Sequence, residues 1–164
     1  MTSIITQTSN RWEIPNTQHF DAVGNEDSLE NLFISKFNAE IRTKATGRYN
    51  CHGLTFASRR TCIDDSSSVA RILEHDKYKE VILSTVLPGD VILYVDNDGI
   101  ISHSGIVTEV TDTLPRCQKI VSKWGVNGAE FIHWAHSSPY GTNYKFYRMD
   151  HSAESSIISK IIIR

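Results

Sequence analysis

The chain has 164 residues, 40% of them hydrophobic and 22% charged, which fits one globular domain able to bury its own core. Its 17 basic and 19 acidic side chains leave a net charge of −2, so the basic excess that a general nucleic-acid binder needs is missing. No stretch approaches the roughly 18 consecutive apolar residues of a membrane span. Residues 1–10 have neither a basic start nor an apolar run, so synthesis in the cytoplasm without a secretory signal is expected.

Residues 1–26 are polar and irregular, with Trp12, Ile14 and Phe20 as expected anchors. From Asp27 the pattern is helical: Leu29, Leu32, Phe33 and Phe37 recur at three- and four-residue spacing, and Asp27 with Glu30 resembles a capping box. A second short helix is predicted from Cys51 to about Arg60, with Asn50 placed to accept a backbone N–H at its start. Residues 65–68 offer caps for a third helix carrying Val69, Ile72 and Leu73. The charged stretch 74–80 reads as a solvated face.

Beyond residue 80 the texture changes to strands. Pro88-Gly89-Asp90 is turn chemistry, and the apolar run 91–95 suits a buried strand. Asp96-Asn97-Asp98-Gly99 predicts a hairpin turn into a strand over 100–110. Further strands are expected over 117–124 and 144–149, while 156–164 fits an edge strand or a helix equally. Helices first and a strand meander second predict an α+β architecture.

Three cysteines, Cys51, Cys62 and Cys117, contain no C-x-x-C pair, which argues for free thiols rather than a disulfide framework or a Cys-rich zinc site. Cys51 stands at a helix start, where unpaired N–H groups favour a thiolate. Cys62 and Cys117 read as buried fillers. A thiol nucleophile needs a base that is distant in sequence and adjacent in the fold, and His103, early in its strand, is the candidate. Gly105 is expected to let the Cys51 helix approach that strand closely. His52, diverging from Cys51 along the helix, is placed at the cleft mouth. His133-Trp134-Ala135-His136 has the H-x-x-H spacing that chelates a metal on one helical face, but no acidic or thiol partner accompanies it, so no metal or cofactor is expected. Trp124, Trp134 and Tyr140 read as core or lid.

Asn50-Cys51-His52-Gly53-Leu54 resembles the D-C-S-G-L signature of the NlpC-type peptidases. Leu87-Pro88-Gly89-Asp90-Val91-Ile92 resembles the L-x-P-G-D segment that these enzymes share with the CHAP amidases, and His103-Ser104-Gly105-Ile106-Val107 resembles their H-V-G-I-Y strand. The three segments occur in the family's order and cover about half the chain. Asn50 stands where the family has Asp, and His52 where it has Ser.

The resemblance implies a papain-like fold, helices packed on an antiparallel sheet meander, in a single domain over 1–164. Residues 1–46 would form an N-terminal helical extension and 47–150 the catalytic core. It implies a thiol hydrolase that cleaves an amide or peptide bond, in peptidoglycan peptides among others, with Cys51 as nucleophile and His103 as base. The N–H of Cys51 would give part of an oxyanion hole, with Tyr49 a candidate for the rest. In the family a third polar residue on the strand after the histidine orients the imidazole. Folding the hairpin about Thr113-Leu114 sets His103 opposite Ser122, Lys123 or Trp124, and a charged lysine only donates. The third member thus stays open among Ser122, Glu130 and His133. Acyl transfer or deamidation by the same dyad, and a binding module with a retired site, are the alternatives. Without a signal peptide, a peptidoglycan substrate would imply another delivery route, with a toxin or effector role and an immunity or delivery partner protein.

Overall fold

The computed structural model describes residues 2–19 and 27–150. In chain order the elements are α1 (Asp27–Phe37), β1 (Glu40–Ile41), α2 (Cys51–Phe56), α3 (Ser66–His75), β2 (Tyr78–Val81), a 3₁₀ turn (Leu83–Thr85), β3 (Val91–Val95), β4 (Ile101–Val110), β5 (Gln118–Lys123), β6 (Glu130–Trp134) and β7 (Tyr144–Met149). The strands form one seven-stranded sheet in the order β1-β6-β5-β4-β3-β7-β2, every pair antiparallel. The chain is therefore α+β, as the sequence predicts. Among the described residues no helix is long and apolar enough to cross a membrane.

Strand β3 is an interior strand between β4 and β7 with both faces covered, and that explains its unbroken apolar run. Successive side chains point to opposite faces. Val91 and Leu93 meet Ile63, Val69 and Ile72 on the helical side, while Ile92 and Tyr94 meet Val107, Ile120 and Phe146 on the other. The anchors Trp12 and Ile14 pack into the first of these clusters. Phe20 and the segment 156–164 lie outside the described residues.

The Pro88-Gly89-Asp90 turn sets the register of the strand that carries His103. Gly89 takes φ +95°, a left-handed conformation open to glycine at no steric cost. Its N–H donates to Val107 O, and Val107 N–H donates back to Asp90 O, both at 2.8 Å. The buried Asp90 carboxylate accepts from Leu87 N–H at 2.8 Å and pairs with Arg148 of β7 at 2.7 Å.

Several elements differ from the sequence prediction. Residues 130–134 form a strand, so His133 and His136 do not share a helical face, and no group of three metal-ligating side chains occurs among the described residues. Two-residue β1 and the charged β2 are too short and too polar to show an apolar period. Helix α2 stops at Phe56 instead of Arg60, because Ser58 and Arg59 turn into the left-handed region. Cys117 is only partly buried, at the exposed end of β5, while Cys62 is fully buried.

Candidate functional site

Cys51 is held where the sequence puts it, at the first position of α2, and Asn50 does the holding. The Asn50 Oδ1 accepts from Gly53 N–H at 2.8 Å and Ile63 N–H at 3.1 Å, and its Nδ2 donates to Ile63 O at 2.8 Å. One side chain thus caps α2 and fastens it to the following segment. Gly53 makes that fastening sterically feasible, since a Cβ there would lie 1.8 Å from the carbonyl oxygen of Thr61. Gly105 also has no room for a side chain, but for another reason than predicted. Its Cβ would meet Ile120, Val121 and Ser122 of the neighbouring β5, not the helix.

Helix α2 packs on β4, and polar side chains latch the two together. The Ser104 hydroxyl lies 2.8 Å from His52 Nδ1 and 2.9 Å from Thr55 Oγ1, and the Thr55 hydroxyl donates to Cys51 O at 2.9 Å. The chain of bonds runs in one direction. Thr55 donates to the carbonyl, so Ser104 donates to Thr55, and His52 donates from Nδ1 to Ser104. Burial pushes the His52 pKa down to about 4, which keeps this ring neutral. The ring is buried against β4, and the residue still lines the cavity that holds Cys51.

Cys51 and His103 line one cavity of about 260 Å³, together with Asp64, Lys123, Gly125 and Tyr140. Burial pushes the Cys51 thiol up, against the downward pull of the N–H groups of Ser104, His52 and Cys51 and of the Lys123 charge. Desolvation outweighs the helix end, so the resting group is a thiol and not the thiolate expected from position alone. His103 is fully buried. Burial, with His52 and His133 nearby, holds its pKa well below the ordinary histidine value, so the imidazole is neutral. Neither ring nitrogen has a hydrogen-bond partner among the described residues. One aromatic ring covers it: Tyr140 stacks on His103 with centroids 3.6 Å apart and planes within 6°.

The three candidates for a third member are committed elsewhere. Ser122 accepts from Trp124 Nε1 and donates to His133 Nε2, both at 2.8 Å, and His133 Nδ1 donates to Trp134 O at 2.9 Å. Glu130 is buried and accepts from Tyr49 and Arg42 at 2.7 Å and from Arg59 at 2.5 Å. Burial would raise this carboxyl, but the Arg59 and Tyr49 hydrogen bonds prevail and hold it low. The same bond takes the Tyr49 hydroxyl, whose pKa burial and Glu130 push up to about 12.

Lys123 lines the cavity without a role assigned from sequence, and Tyr140, read as core or lid, lines it too. The buried Lys123 ammonium donates to the carbonyls of Gly125, Val126 and Gly128 at 3.2, 2.8 and 2.8 Å, pinning the loop that borders the cavity. The two glycines of Lys123-Trp124-Gly125-Val126-Asn127-Gly128 were the available signal of a tight loop. Nothing local marks Tyr140, which reaches His103 only through the tertiary fold. Comparison of the chain with protein-family models, with curated proteins and with solved structures finds no match.

Proposed function

We propose that the chain is a papain-like thiol hydrolase that cleaves an amide or peptide bond, with Cys51 as nucleophile and His103 as general base. The observation that carries this reading is the meeting of a helix-start cysteine and a buried, neutral histidine on one cavity, although they are distant in sequence. A neutral imidazole has a lone pair with which to take the thiol proton. The N–H groups of Cys51, His52 and Ser104 and the Lys123 charge all favour negative charge on the sulfur.

In this mechanism His103 takes the proton of Cys51 Sγ, and the sulfur attacks the carbonyl carbon. The carbonyl oxygen becomes an oxyanion facing the Cys51 N–H, at the start of α2. The amine then leaves with the proton returned from His103, and water releases the acid from the thioester. Peptides, including those of peptidoglycan, are the substrate class the motifs favour.

The test is hydrolysis of a library of peptide amides by the purified protein. The wild type is expected to release free amine and Cys51→Ala none, with the thioester trapped at Cys51 by mass spectrometry. Release by Cys51→Ala at the wild-type rate would overturn the assignment. An added amine acceptor separates hydrolysis from acyl transfer, because only a transferase incorporates it.

A further inference from the structure

We propose that Tyr140 is the positioning residue of His103, fixing the plane of the imidazole and stabilising its protonated form through the face-to-face stack of the two rings. This inference rests on the thiol hydrolase reading. It fills the place left by the missing third polar residue, since Ser122, Glu130 and His133 are all hydrogen-bonded elsewhere.

The geometry of the stack is unusual for two neutral rings. Aromatic pairs prefer offset or edge-to-face arrangements with centroids about 4.5 to 7 Å apart, because the negative faces repel. At 3.6 Å and 6° the His103 and Tyr140 rings overlap almost fully. That arrangement suits a cation on the π-face, which is what His103 becomes on taking the Cys51 proton. The S–H bond breaks, an N–H bond forms on the imidazole, and the product is a thiolate beside an imidazolium.

Tyr140 is itself held. Its hydroxyl accepts from Gly125 N–H at 3.3 Å, in the loop that Lys123 pins, and its own N–H donates to Ser138 Oγ at 3.2 Å. Rotation of the imidazole about χ2 would swing its edge into this fixed ring. Of the other groups near His103, only the Asp64 carboxylate on the cavity wall would favour its protonation. Cys51 and His52 face it from α2, Tyr94 from β3 and His133 from β6, all of them neutral at pH 7. Lys123 of β5 lines the same cavity as a cation, and its Asp64 carboxylate accepts from Asn50 at 3.2 Å.

The experiment is the pH profile of Cys51 alkylation by iodoacetamide, read by peptide mapping. It compares the wild type with Tyr140→Phe, Tyr140→Leu, Tyr140→pentafluorophenylalanine and His103→Ala. Pentafluorophenylalanine keeps the shape of the ring and reverses its quadrupole, so it reads the electronics of the stack even where leucine disturbs the fold. The leucine and pentafluoro variants are expected to react about three- to thirtyfold more slowly at pH 7, with profiles displaced upward, and Tyr140→Phe, which keeps the ring face but loses the bond to Gly125, to be slowed less than either. A wild-type profile for the pentafluoro variant, with His103→Ala slowed, would overturn the role of Tyr140 alone. A wild-type profile for His103→Ala would overturn the dyad itself.

Discussion

The hydroxyl of Ser104 lies 2.8 Å from Nδ1 of His52, and through that bond the strand carrying the proposed base grips the helix carrying the proposed nucleophile. The two residues flank the proposed pair directly, Ser104 following His103 and His52 following Cys51. Ser104→Ala is expected to leave the buried His52 Nδ1–H without its acceptor, which costs about 1–3 kcal/mol. Thermal unfolding is the check, with an expected loss of several degrees and a parallel loss of amide turnover. An unchanged midpoint would show that the latch carries no stability.

Gly53→Ala should be far more damaging than its single methyl group suggests. The contact it creates, 1.8 Å to the Thr61 oxygen, is with backbone that Asn50 holds in place through Ile63. Relief requires α2 to lift from its bed, so a loss of about 3 kcal/mol or more is expected. The fraction of soluble protein and its urea midpoint measure this. Gly105→Ala should be similarly poorly tolerated, through β5 instead.

Stability should fall on mild acidification. His52 and His133 are held neutral by burial with pKa values of about 4, and His103 lies well below its ordinary value too. Their unfolded values are near 6.5, so between about pH 6.5 and 4 the unfolded chain binds more protons than the native one. Stability from these groups is full above pH 6.5 and is lost as pH falls through that window. The expected slope is of order 1 kcal/mol per pH unit per histidine. Urea midpoints at pH 7, 6 and 5 would show it, and equal midpoints would contradict it.

Removing the Asp90–Arg148 pair should disturb the site at a distance. Asp90→Asn weakens the clamp on the turn that registers β3 on β4, where Arg148 is partly solvated and Asp90 is not. A loss of about 1–2 kcal/mol is expected, roughly 3–8 °C in midpoint for a domain of this size. Amide turnover should fall less than in Ser104→Ala, because the helix latch stays intact.

Labelling at the three thiols should separate them in a way that position in sequence does not. Cys62 is fully buried, with its thiol pushed up to about 11 by desolvation and Asp64, and should resist alkylation in the native protein. Cys117, partly exposed, should label slowly and without consequence for turnover, and Cys117→Ser removes it from the assay. Labelling of Cys51 should parallel loss of activity. Activity that survives full modification of Cys51 would contradict its role.

Much of the fold is local in origin and was legible as such. The apolar run of β3, the Asp96–Gly99 turn and the caps Asn50 and Asp65 act within a few residues of themselves, so sequence alone placed β3, β7 and the starts of α2 and α3. The positions of Cys51 and His103 were legible for the same reason: a capped helix start and a strand after a turn are local patterns. What tertiary structure alone decided is everything that depends on burial and on partners far along the chain. It made Cys51 a thiol, because desolvation outweighs a six-residue helix end. It turned His133 into a strand residue bonded to Ser122, and brought Tyr140 over His103 across the sheet. Charge state and ring contacts follow from how much solvent and which neighbours surround a group, and neither quantity is written in a linear pattern.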